Sequence, residues 1–94
     1  MLTALLFIAS THASADSLRI NGMSCHGCEK QIRSVVCFDK QVQSWVQSCD
    51  AKVIDPEKEL GELRYVLRDG VTLDPQKLAH IQELVTSTGR TLNP

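Results

Sequence analysis

Aromatic residues are scarce in this sequence: one Trp, one Tyr and two Phe stand among 94 residues. Neither charge dominates, since ten Lys/Arg are set against eleven Asp/Glu and the signs are interspersed. A nucleic-acid surface needs a basic patch, commonly with rings for stacking, and this composition builds neither. No apolar run reaches the roughly 20 residues that a membrane-spanning helix requires. Internal repeats, low-complexity tracts and long linkers are also missing, which leaves a single small domain. Lys and Arg are absent from the first fifteen residues altogether.

Those fifteen residues carry an apolar run, Leu2 to Ala9, followed by Ala13-Ser14-Ala15. The run has the length of a signal-peptide hydrophobic region, and the small residues have the A-x-A spacing of a cleavage site. The expectation is a leader over 1–15, cleaved after Ala15, and a domain over 16–94 that is periplasmic or secreted, with no stable membrane insertion. The missing basic residues leave an amphipathic or frayed N-terminal arm as the alternative. A domain of this size lies near the lower limit for one core, so a metal or a disulfide is a useful extra tie. Four cysteines are many for so short a chain. In an exported protein they are disulfide partners, metal ligands, or both.

From Asp16 onward the pattern alternates. Leu18 and Ile20 stand two apart in a short strand over Ser17–Asn21, and Gly22 to Gly27 is a turn-rich loop. Cys28, Ile32, Val35 and Val36 share one helical face. Asp39, Val42, Trp45, Val46 and Cys49 extend a roughly helical period, so helix or helix-turn is expected to about Ser48, with a strand from Val42 as the alternative. Ala51–Asp55 reads as a strand and Pro56–Gly61 as a loop. In the strand Leu63–Arg68, Leu63, Tyr65 and Leu67 share a face, and Asp69-Gly70 turns the chain. Asp74 is an N-cap before Pro75; Leu78, Ile81, Leu84 and Val85 make the buried stripe; Gly89 ends the helix. Arg90-Thr91-Leu92 returns as an edge strand. The order β-α-β-β-α-β predicts an α+β, ferredoxin-like fold: one antiparallel sheet with two helices on one face.

Gly22-Met23-Ser24-Cys25-His26-Gly27-Cys28 lies between the first strand and the first helix. Two intervening residues let both sulfurs converge on one point, and Gly22 and Gly27 permit a tight loop. Cys28 falls in the first helical turn, where free N–H groups and the dipole favour thiolate. Soft thiolates select soft ions. Two sulfurs suit Cu(I), Ag(I) or Hg(II) better than Zn(II), which usually takes four ligands. Zn(II) or Cd(II) shared with water or a partner stays open.

This stretch, with Ile32 four residues on, resembles the Gly-Met-Thr/Ser-Cys-x-x-Cys signature of heavy-metal-associated domains. That family includes copper chaperones, the N-terminal domains of copper-transporting ATPases and periplasmic mercury-binding proteins. The resemblance spans roughly Ser17 to Leu92. It implies that Cys25 and Cys28 are the ligands of one ion, for which the two-thiolate chemistry above favours Cu(I), and that Met23 is a buried support of the loop and not a ligand. It also implies a partner, whether a metal-transporting ATPase, another transporter or another metal-binding protein, that takes the ion by thiolate exchange. Two departures stand out: Gln41-Val42 replaces the family's usual Gly-Val, with a longer stretch from Phe38 to Ser48, and Gly89-Arg90 replaces its Gly-Tyr.

Cys37 and Cys49 flank that longer stretch, and a disulfide between them would pin it to the end of the first helix. Separately buried thiols are the alternative, and Cys49 joining the metal site is a third. His26 is a candidate third ligand, although an exposed loop side chain is the simpler reading. His80 is expected at the surface or its boundary, and His12 leaves with the leader. Arg90 is a candidate cation near the sulfurs, where it would offset the negative charge of a Cu(I)–dithiolate. No residue set calls for covalent substrate chemistry, so the chain is not expected to be an enzyme. Two other functions use the same pair. One is a small thiol–disulfide redox protein; the other is a structural or sensory domain whose pair is simply oxidised. Covalent haem attachment would need a His after Cys28, and Glu29 stands there.

Overall fold

The structure, a computed structural model, describes residues 14–93. Strand β1 covers Ser14–Asn21, helix α1 His26–Ile32, helix α2 Lys40–Trp45, strand β2 Val46–Asp55, strand β3 Leu60–Leu67, helix α3 Pro75–Ser87 and strand β4 Thr91–Asn93. The four strands form one antiparallel sheet in the order β2-β3-β1-β4, so the chain is a small α+β protein. Most of the expected leader, with His12, lies outside the described residues. Its last two residues, Ser14 and Ala15, open β1 opposite Leu67 and Val66.

Alternation along β3 builds the core. Gly61, Leu63, Tyr65 and Leu67 are buried, whereas the residues between them are exposed or partly so. Ile20 of β1, Cys28 and Ile32 of α1, and Ile81 and Val85 of α3 close over that face. Each fully buried aliphatic side chain contributes about 1.5–3 kcal/mol. Leu78 and Leu84 of the expected α3 stripe are only partly buried. The helix starts as expected, with the Asp74 carboxylate accepting the Lys77 N–H at 2.9 Å and Pro75 in the first turn. It ends before Gly89, whose φ of 87° is the left-handed value that glycine adopts without strain.

The expected helix to Ser48 is broken twice. After α1 the chain makes one π-helical turn, Arg33–Cys37, over which Val36 and Cys37 are both buried. Asp39 then turns extended, with φ −63° and ψ 134°. Its carboxylate accepts the N–H groups of Gln41 and Val42, both at 3.2 Å, and so starts α2 as a separate helix. An Asp does more for a helix as its cap than inside it, because its side chain competes for backbone N–H groups. The helix stops at Trp45. Val46, β-branched and buried, instead opens a ten-residue strand that includes the expected Ala51–Asp55. Irregularities at Val46/Ser48 and Val53/Asp55 bend β2 along β3.

Candidate metal centre

The loop between β1 and α1 is suspended from the β2–β3 turn. Glu59 has a φ of 54°, and its carbonyl accepts two N–H groups, from Gly22 at 2.8 Å and Met23 at 2.9 Å. Met23 is fully buried and stacks on Gly61, where no side chain intervenes. A Cβ at Gly61 would stand 2.7 Å from Met23 Cβ, closer than such atoms approach. Met23 is thus a support under the loop. Gly22 needs its glycine, because its φ is 93° and a Cβ there would also meet Arg90 Cγ at 3.2 Å. Gly27 does not. It lies in the first turn of α1, and a Cβ would meet only Cys25 Sγ, at an ordinary 3.8 Å. The expectation that both glycines shape the loop holds for Gly22 alone.

Cys25 is the N-cap of α1, with φ −145° and ψ 163°. Its sulfur accepts the Cys28 N–H at 3.2 Å and its carbonyl accepts the N–H groups of Cys28 and Glu29. Cys28 lies in the first turn, as expected. The two sulfurs meet and are joined as a disulfide, with Cα atoms 5.2 Å apart. Exposure divides them: Cys25 is exposed and Cys28 is 6% exposed. A cleft of about 210 Å³ opens beside Cys25, lined by Ser24, Cys25, His26, Glu29, Val53 and Pro56, and Cys28 is not part of it.

No family model, no curated protein and no solved structure matches this chain. Its own geometry therefore carries the functional reading.

The His26 side chain is 99% exposed and its Nδ1 stands 3.4 Å from Glu29 Oε1. That is the solvent-facing placement of the simpler reading. Arg90 does reach the loop, but through its backbone. Its Nε donates to the Gly22 carbonyl at 3.0 Å, and Nη1 donates to Gln31 Oε1 at 2.7 Å and to the Thr88 carbonyl at 3.2 Å. One guanidinium so ties β1, α1 and the end of α3 together. Cys37 and Cys49 form the second disulfide, with Cα atoms 5.5 Å apart, joining the π-helical turn to β2. His80 is a boundary residue, bonded through Nε2 to Asp39 Oδ2 at 2.9 Å and edge-on to Trp45. Among the described residues, no group of three or more His, Cys, Asp or Glu side chains gathers in a way that could hold a metal ion. No helix among them is long and apolar enough to cross a membrane.

Sequence reasoning missed Glu29, Glu59 and Gly61. Glu29 follows Cys28 directly. Its Oε2 accepts the N–H of Val53 on edge strand β2 at 2.8 Å, and this bond, against the opposing effect of burial, holds its carboxyl below the ordinary value. An acid in the first turn of a helix was the available signal. Glu59 acts through its carbonyl, which no residue type announces. Gly61 had a signal, a glycine inside an otherwise apolar alternation, which often marks close approach of another group.

Proposed function

We propose that this chain binds one soft metal ion between the thiolates of Cys25 and Cys28 and passes it to a partner by thiolate exchange. The observation that carries the reading is the meeting of two sulfurs at the exposed end of a loop tied down on both sides. Reduction of the pair and rotation of the exposed Cys25 side chain let the sulfurs open around an ion. Two sulfur donors suit Cu(I), the favoured cargo, and also Ag(I) or Hg(II); Zn(II) would need further ligands from water or a partner. The sheet order β2-β3-β1-β4, with helices after β1 and β3, supports a ferredoxin-like arrangement and kinship with heavy-metal-associated domains. The Cys37–Cys49 bridge supports an oxidising compartment, periplasmic or extracellular.

In transfer, a partner thiolate would attack the ion from the open side of Cys25, form a three-coordinate bridge and displace one sulfur. Cys28, nearly buried, would hold the ion longest. The partner is then a protein with its own soft-ligand site, such as a metal-transporting ATPase or another metal-binding protein. Native mass spectrometry of the reduced protein tests the reading. One Cu(I), Ag(I) or Hg(II) should bind per chain, and none to Cys25→Ser/Cys28→Ser. Equal uptake by that double variant would refute the assignment.

The bridged pair favours a second reading, a small redox protein that passes disulfides to substrates. It differs in one observable: with glutathione disulfide supplied as terminal oxidant, the protein would then oxidise a generic dithiol peptide at catalytic turnover, without metal.

A further inference from the structure

The bridged pair cannot hold a metal, because both sulfurs are spent on each other. Function as proposed above therefore requires two electrons to arrive first, and the structure shows the side from which they can come. Attack on a disulfide runs along the S–S axis onto one sulfur, with the other as leaving group. Cys28 is nearly buried in the core, whereas Cys25 is exposed. The cleft lined by Ser24, His26, Glu29, Val53 and Pro56 opens on Cys25 and not on Cys28. The second bridge is less open: Cys37 is 6% exposed and Cys49 only partly exposed. Both line a separate cleft of about 390 Å³ with Arg33, Phe38 and Arg68, so selectivity rests on the greater exposure of Cys25.

We infer that the cleft beside Cys25 is the docking site of a dithiol reductant protein that opens the metal site and leaves Cys37–Cys49 intact. This inference rests on the metal-binding reading for its purpose, not for its chemistry. The partner's thiolate attacks Cys25 Sγ, forming a mixed disulfide and releasing Cys28 as the thiolate. The partner's second thiolate then attacks its own bridged sulfur, releasing Cys25 as a thiolate and leaving the partner as a disulfide. Two electrons pass and one S–S bond is exchanged for another. The freed Cys25 sulfur keeps the Cys28 N–H that it already accepts. The occupant that fits a cleft of about 210 Å³ is a short loop carrying a cysteine.

The test uses the full oxidised chain and a thioredoxin-type dithiol protein whose second cysteine is replaced by serine, so that the mixed disulfide is trapped. Peptide mapping should place the adduct on Cys25. An adduct on Cys28, Cys37 or Cys49, or none, would overturn the inference. With the intact dithiol protein, alkylation should reveal two thiols, Cys25 and Cys28; four would overturn the selectivity. His26→Glu/Pro56→Glu changes two exposed residues of the cleft and should slow trapping about tenfold while reduction by a small phosphine proceeds at the parent rate. Equal slowing of both, or of neither, would refute docking in the cleft. Metal uptake is measured separately on phosphine-reduced protein. Trapping on Cys25 without metal uptake would sink the metal reading and keep this one; metal uptake without trapping would do the reverse.

Discussion

Replacing Gly61 by Ala adds one methyl group and tests how the Cys loop is held up. The backbone at Gly61 is not in the left-handed region, and the residue lies in β3 opposite Ile20 and Val53. Conformational entropy alone would therefore make Ala more stable by about 0.5–1 kcal/mol. Against that stands the contact. The new Cβ would lie 2.7 Å from Met23 Cβ and 3.0 Å from Met23 Cε, and Met23 is fully buried. Overpacking of this kind costs about 1–3 kcal/mol, more than the entropic gain across most of its range. A net loss of about 1–2 kcal/mol lowers Tm by roughly 5–15 °C in a domain of this size. Thermal unfolding followed by circular dichroism, with both disulfides intact, reads it. Met23→Ala alone should cost about 2–5 kcal/mol through the emptied space. In the double variant Met23 Sδ and Cε are gone, so the two losses should fall short of additivity by about 1 kcal/mol. An unchanged Tm for Gly61→Ala, or strict additivity, would refute the claim that Met23 rests on Gly61.

Other expectations follow from single contacts. Removing the second bridge with Cys37→Ser/Cys49→Ser should cost about 3 kcal/mol, seen in urea titration, while metal uptake by the reduced protein stays at one ion. Arg90→Ala should weaken soft-metal affinity about tenfold by releasing the Gly22 carbonyl and Gln31; an unchanged affinity in competition with a chelator at low salt would remove Arg90 from the site. Burial, with Asp16 nearby, pushes the hydroxyl of Tyr65 up to about 12, and as the chain's one tyrosine it can be followed by ultraviolet absorbance. Its folded value lies above the unfolded value, so that stabilisation is full below pH 10 and is lost as pH rises toward 12. Acid acts with the opposite sign. Glu29, Asp50 and Glu62 are held below their ordinary values, chiefly by the Val53 N–H, Arg33 and Arg64 respectively. Burial pushes Asp39 upward, but bonds from His80, Val42 and Gln41 together outweigh it. Stability is therefore full above the ordinary values of 4.5 for Glu and 3.8 for Asp and falls as pH drops through the lowered ones, and Glu29→Gln should flatten that fall.

The elements most legible in the sequence were those whose signals are local and agree. Asp74, Pro75 and Gly89 mark both ends of α3, and the Leu63–Tyr65–Leu67 alternation marks β3. The stretch from Phe38 to Ser48 was harder because two periods coexist there: Val42 and Trp45 fit a helix, and the following Val46 fits a strand. The decision falls to Asp39, which reads as a helix-face residue until it is seen capping, and to pairing with β3, which no local window contains. At the site, the cysteine pair and its exposed His neighbour were legible from spacing. The supports were not, because Glu59 acts through a carbonyl and Glu29 through an N–H on a strand distant in sequence. Arg90 was legible as a residue near the loop, but its partners turned out to be backbone and amide oxygens.

The placement of these supports bears on transfer as against storage. Glu59 and Gly61 hold Gly22 and Met23 on one side of the cysteines, and Arg90 holds Gly22 again from α3's end. On the other side Glu29 bonds to Val53, fixing the first turn of α1 to the sheet edge. Between these tethers Ser24, Cys25 and His26 are exposed. Fixing both flanks removes much of the ordering cost that a flexible dithiol would meet on binding an ion. Leaving the middle open keeps one sulfur within reach of an incoming thiolate. A storage site would gain from covering both sulfurs, since displacement of the ion needs access. On the proposed function, the asymmetry between an exposed Cys25 and a nearly buried Cys28 would give exchange a direction of approach, equally for a partner that takes a metal and for one that delivers electrons.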